Sequence, residues 1–96
     1  MAVTFEWDQE KAQASLQKHG VSFEEAATVF FSPLSITIPD PDHSDPDEDR
    51  FVTVGLSTRL RTLVVVHCDR SGRIGLISAR VATGRERKDY EEGSQT

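Results

Sequence analysis

The sequence predicts an α+β domain in which N-terminal helices pack on an antiparallel sheet of about four strands, with a further helix at the C-terminus. Three observations lead there. Two capped helix starts, at Asp8 and Ser22, stand in the first thirty residues. Four runs rich in β-branched residues, separated by turn-forming residues, occupy 35–79. A third capped start follows at Thr83. Helices gathered ahead of a strand meander give segregated layers rather than alternating βαβ units.

Each element has a local cause. Phe5-Glu-Trp7 is extended, as a short strand or a lead-in. Asp8 caps a helix that runs to about His19, with Gly20 as its stop and Lys18 and His19 in the last turn, where cations suit the helix dipole. Trp7 before the cap and Ala12 in the first turn form a hydrophobic staple, and Ala12 shares a face with Leu16. Ser22-Phe-Glu-Glu25 is a capping box; Phe23, Ala26, Ala27 and Phe30 repeat at helical spacing, and Pro33 ends that helix. The faces carrying Leu16, Phe23 and Phe30 are expected to cover one side of the sheet. Strands are expected at 35–39, 51–56, 63–68 and 74–79, with a tight turn at Asp69-Arg-Ser-Gly72. Thr83-Gly-Arg-Glu86 is another capping box, opening a helix to about Glu92, and the tail 93–96 is expected to fray.

The 96 residues are expected to form a single domain, 1–96. No run is apolar enough to span a membrane, no signal-peptide pattern opens the chain, and Cys68 is the only cysteine, so a reducing cytoplasmic setting is expected. The net charge of −5 hides a split. Residues 1–50 hold eleven acids and three bases, giving −8, whereas residues 51–90 hold eight bases and three acids, giving +5. Seven of those eight bases are arginines, whose planar fork suits phosphate and carboxylate.

Motifs exclude more than they assign. The acidic loop at 40–49 fails as a calcium loop, because Asp45 and Phe51 stand where an EF-hand needs Gly and Glu. His19, His43, His67 and Cys68 lack zinc spacing, and no P-loop, dinucleotide fingerprint or nucleophile elbow occurs. No cofactor and no metal are expected, which leaves general acid–base chemistry. The residues suited to it are Arg59, Arg61 and Arg80 for a phosphate, with Lys18, His19 and Tyr90 as proton carriers. RNA cleavage needs a base for the 2′-hydroxyl, cations for the phosphorane-like transition state and an acid for the leaving 5′-oxygen. The expectation is that Arg59, Arg61 and Arg80 meet in one groove.

Phe5-Glu-Trp-Asp8, Lys11, Lys18-His-Gly-Val-Ser-Phe23 and Ala26 form one signature. Pro39-Asp-Pro-Asp-His43, Arg50-Phe51, Gly55-Leu-Ser57, Ile77-Ser-Ala-Arg80, Ala82-Thr83, Glu86-Arg87 and Tyr90 complete it. Together they resemble the BrnT family of bacterial type II toxins over roughly residues 5–92. The resemblance implies a RelE-like fold and a metal-independent ribonuclease that stops translation. It also implies a BrnA-like ribbon-helix-helix antitoxin, contact with operator DNA only through that antitoxin, and a heterotetramer. The chain departs from the family pattern at Gly75, where an arginine is usual, and at Ser15, where asparagine is frequent. Arg73 shares strand parity with position 75 and is a candidate substitute. Two other readings stand beside the ribonuclease: a catalytically weakened homologue that serves as an antitoxin-binding co-repressor, and an acidic α+β domain with an unrelated ligand.

Overall fold

The computed structural model describes residues 3–40 and 49–93. Most of the acidic loop expected at 40–49, and of the tail at 93–96, lies outside the described residues. In chain order the elements are β1 (Thr4–Trp7), α1 (Gln9–His19), α2 (Phe23–Thr28) with a 3₁₀ turn at Val29–Phe31, β2 (Ile36–Pro39), β3 (Arg50–Leu56), β4 (Thr62–Arg70), β5 (Arg73–Val81) and α3 (Gly84–Gly93).

The sheet differs from expectation in size and direction. It has five strands in the order β1-β5-β4-β3-β2. Four of them form an antiparallel meander, but β1 pairs parallel with β5, setting Glu6 opposite Gly75 and Trp7 opposite Leu76. The sheet is therefore mixed. A parallel partner is joined through distant sequence and leaves no turn signal to read.

The helix caps form as the sequence dictates. Asp8 accepts from the Glu10 and Lys11 amides, and Gly20, at φ 69°, closes α1 in a left-handed conformation that costs a side-chain-bearing residue more. Ser22 Oγ accepts from the Glu25 amide at 3.0 Å. The Glu25 carboxylate points into the protein toward Ser57 and Arg61, so only half of that capping box forms. The Thr83–Glu86 box forms in both directions, at 2.9 and 3.1 Å. Ser71 and Gly72, at φ 54° and 83°, make the two-residue turn between β4 and β5.

α1 and α2 cover one face of the sheet. Val21, Phe23, Ala26 and Val29 meet Leu63, Val65, Leu76 and Ala79 there in a sealed core. Leu16 does not join it. That side chain is 51% exposed, and Ser15 instead turns inward and donates to the Ala79 carbonyl at 2.8 Å. The opposite face, carrying Val52, Val54, Val64 and Val66, lies beneath α3, whose residues are all at least partly exposed.

His67 is buried on the helix-covered face, with Thr53 Oγ1 2.7 Å from Nε2 and the Phe30 ring 4.8 Å away. Burial pushes its pKa down to about 4 from 6.5, against a smaller opposing pull from Asp69. The unfolded chain therefore takes up this proton at higher pH than the folded one. His67 contributes its full share above pH 6.5, and that share is lost as pH falls toward 4, on the order of 3 kcal/mol. Urea midpoints measured between pH 7 and 4.5 are expected to fall less steeply in His67→Gln than in the native chain.

Candidate functional site: recesses along β5

The trough begins with a local irregularity. β1 ends opposite Leu76, so β5 has no β1 partner beyond that point. On its other side, Leu76 pairs with His67 and Ser78 with Val66, which leaves Ile77 as an extra residue. Such a bulge re-aims side chains and is common beside active sites. α1 crosses here, held by the Ser15–Ala79 hydrogen bond. Lys11 and Lys18 stand four residues before and three after Ser15, on the same side of the helix. With His19 they line a recess of about 260 Å³ against Ile77 and Ser78.

Ser78 also lines a larger recess of about 530 Å³ on the α3 side of the sheet, with Arg80, Glu86 and Tyr90 at its rim and Val64 and Val66 in its floor. Arg80 donates to both oxygens of Glu86, at 2.6 and 2.8 Å. That bidentate pair, aided by the Thr83 amide, holds the Glu86 carboxyl down at about 2. Glu86 is therefore ionised at any working pH, and the pair orients the Arg80 fork without immobilising all five of its N–H groups. The Tyr90 hydroxyl donates to the Leu34 carbonyl at 2.9 Å and ties α3 to the loop before β2.

A third recess, of about 210 Å³, lies at the Gly75 end and shares Lys11 and Ile77 with the middle one. Through these shared lining residues the three recesses adjoin in series along β5, and together they make up the β5 trough. Lys18, His19, Arg80 and Tyr90 all border it.

Arg59 and Arg61 do not. They precede β4 and turn to the helix-covered side, where Glu25 waits with its side chain 5% exposed. Arg61 Nε donates to Glu25 Oε2 at 3.0 Å, Nη2 donates to Glu25 Oε1 and, at 3.1 Å, to the Gly20 carbonyl. Ser57 Oγ adds a bond to the same carboxylate at 2.7 Å. The single groove expected for Arg59, Arg61 and Arg80 is corrected: Ala79 faces the core, its neighbour Arg80 faces the other way, and Leu63, two residues after Arg61, faces the core. Arg61 lines a separate recess with Leu60, Val81 and Arg87.

Sequence reasoning missed Ser78, Lys11 and Glu86 as parts of the site. Lys11 could have been found from its seven-residue spacing to Lys18, which returns to the same helix face. The bulge that admits Ser78 to two recesses has no sequence mark beyond Gly75 nearby. Among the described residues, no three His, Cys, Asp or Glu side chains converge as a metal site, and no helix is long and apolar enough to cross a membrane.

The class of protein that the comparisons support is that of the ribonuclease toxins of type II toxin–antitoxin systems. The family model for the BrnT ribonuclease toxin of these systems matches residues 7–86, and the chain belongs to that family. The crystal structure of the Brucella abortus ribonuclease toxin BrnT is similar at a TM-score of 0.66 and 21% identity, over 85% of this chain and 99% of that one. At that identity the likeness is one of fold. No curated protein matches the sequence.

Proposed function

We propose that this chain is a metal-independent endoribonuclease that stops translation by cleaving RNA in the β5 trough. The observation that carries this reading is that Lys18 and His19 line one recess and Arg80 and Tyr90 a neighbouring one, with Ser78 common to both. Arg80 is assigned the scissile phosphate, with the charge that builds on it in the transition state. His19 or Lys18 takes the 2′-hydroxyl proton or stabilises charge. Tyr90, whose hydroxyl already donates to Leu34, serves as a platform for a base rather than as the proton donor. Arg59 and Arg61 act through Glu25, by holding α2 against the start of β4. The partner is a BrnA-like ribbon-helix-helix antitoxin that carries the operator contacts within a heterotetramer, and the fold is read as RelE-like.

The test is incubation of the purified chain with single-stranded RNA in EDTA. Cleavage is expected to persist; its absence at every enzyme concentration would end the proposal.

A weakened toxin acting as a co-repressor is favoured by one feature, Gly75. A Cβ at that position would stand 2.9 Å from Cys68 Sγ, and the Arg70 arm already lies 3.6 Å away. Restoring an arginine there therefore strains the β4–β5 pairing, by about 1–3 kcal/mol as overpacking. The Arg73 guanidinium lies 3.6 Å from Glu6. The weakened reading expects growth arrest from Gly75→Arg with Cys68→Ala and none from the native chain, both expressed without antitoxin.

A further inference from the structure

Ser78 has no part in the chemistry assigned to Arg80, His19 and Lys18, yet it stands between them. It lines the recess of Lys18 and His19 and also the recess of Arg80 and Tyr90, and among the described residues no other borders both. Across the sheet Ser78 pairs with Val66, and Arg80 with Val64. Directly opposed residues of antiparallel strands project to the same face, so Ser78 and Arg80 stand side by side above the valine floor. Two residues of strand span about 7 Å, within the reach of a single nucleotide. Past Leu76 the outer edge of β5 lacks its β1 neighbour, and there Ser78 is met by residues of α1.

The Ser78 hydroxyl is uncommitted. Ser15, the other serine of the middle recess, donates to the Ala79 carbonyl at 2.8 Å. Ser78 is half-buried, and among the described residues its side chain has no hydrogen-bond partner. A serine hydroxyl has one bond to donate and two to accept. The charges on its two sides differ. Lys11, Lys18 and His19 border the middle recess, with no carboxylate in its lining. Asp40, Glu86 and Asp89 border the larger one, where Glu86 is held by Arg80. A phosphate is therefore favoured at the Ser78 boundary, with Arg80 to one side and Lys18 to the other, and disfavoured deeper in the larger recess.

We propose that Ser78 reads the ribose 2′-hydroxyl and so restricts the site to RNA. The proposal rests on the reading of the trough as an RNA site. The attacking 2′-oxygen must lie between the group that takes its proton and the phosphate it attacks. Ser78 is where the recesses holding those two groups meet. A hydrogen bond between Ser78 Oγ and the 2′-hydroxyl fixes the sugar there and selects against deoxyribose, because that hydroxyl is what separates RNA from DNA at a given site. A deoxyribose leaves the serine unmatched. Ser78 is half-buried rather than sealed, so water meets part of that loss, and the discrimination is about tenfold rather than the far larger factor of a closed pocket.

The experiment uses the full chain with uridine 3′-monophosphate and 2′-deoxyuridine 3′-monophosphate, which carry the phosphate but no 5′-leaving group and so are not cut. Binding is followed at neutral pH by the amide chemical shifts of nitrogen-labelled protein. The native chain is expected to bind the ribonucleotide about tenfold tighter than the deoxyribonucleotide. In Ser78→Ala that preference is expected to vanish through weaker binding of the ribonucleotide alone. Affinity for the deoxyribonucleotide is expected to hold, which also reports that the fold and the phosphate contacts survive the change. Equal binding of the two nucleotides by the native chain, or a preference that persists in Ser78→Ala, overturns the role of Ser78 while leaving the phosphate site intact. Failure of the native chain to bind either nucleotide overturns the RNA reading of the whole trough, and the role of Ser78 with it.

Discussion

Arg80→Ala is expected to lower kcat for RNA cleavage by about 10²–10³-fold, with KM changed far less. Its guanidinium stands at the rim of the trough with at least three N–H groups beyond the two that Glu86 takes. A phosphate gains negative charge on its equatorial oxygens as the 2′-oxygen attacks, so a fixed donor there is stronger in the transition state than in the ground state. The loss should be read in kcat under saturating substrate. Folding is not expected to suffer in proportion. Glu86 still bonds the Thr83 amide after the change, and half-exposed ion pairs are worth about 0–1 kcal/mol. Because Glu86 titrates at about 2, the pH profile of cleavage in the neutral range must come from other groups, and removing Glu86 should not shift its limbs.

Glu25→Ala carries the largest expected effect on stability. Its carboxylate receives the Arg61 fork and the Ser57 hydroxyl, with the Arg59 guanidinium 3.8 Å away. Truncation leaves a guanidinium only 30% exposed, and a buried hydroxyl, without their anion. Breaking one side of such a pair costs about 3–5 kcal/mol, and the partial exposure of Arg61 argues for the lower end. At about 3 kcal/mol, Tm should fall by roughly 12–24 °C in thermal melts. Arg61→Ala should behave similarly, because it strands the carboxylate. The Arg61 hydrogen bond, outweighing the desolvation of burial, holds the Glu25 carboxyl below its ordinary value of 4.5. This contribution is therefore complete above pH 4.5 and is lost as pH falls through the lower folded value. On this account Arg61→Ala lowers melting temperature but retains cleavage when assayed cold, whereas Arg80→Ala does the reverse.

The helix boundaries were legible because their causes are local. Asp8, Ser22 and Thr83 cap within three residues, and Gly20 and Gly72 stop or turn the chain where positive φ is needed. The meander followed from the runs of β-branched residues. What could not be read depended on distant partners. β1 became a parallel edge strand because the far end of the chain returned beside it. Ser15, rather than Leu16, faces the sheet because the Ala79 carbonyl offers it a hydrogen bond. Glu25 read as a capping residue because its spacing is right, but Arg61, 36 residues further along the chain, competes better for its charge.

The candidate site was legible in part for the same reason. Parity along a strand places residues within that strand, and so Arg80 falls on the face away from Ala79. Parity does not carry across Leu60, whose φ of 62° reorients the chain just before β4. Nor does it carry across the bulge at Ile77, which brings Ser78 into both recesses. Lys18, His19, Arg80 and Tyr90 were therefore singled out by residue type, and their placement on neighbouring recesses came only with the structure.

The most direct measurement is a crystal structure of the chain bound to a 2′-O-methyl hexanucleotide. The account predicts a strand lying along β5, with a phosphate on Arg80, a base against Tyr90 and the chain continuing past Ser78 toward Lys11. A strand seated instead on the recess of Arg61 and Arg87, with the β5 trough empty, would contradict it.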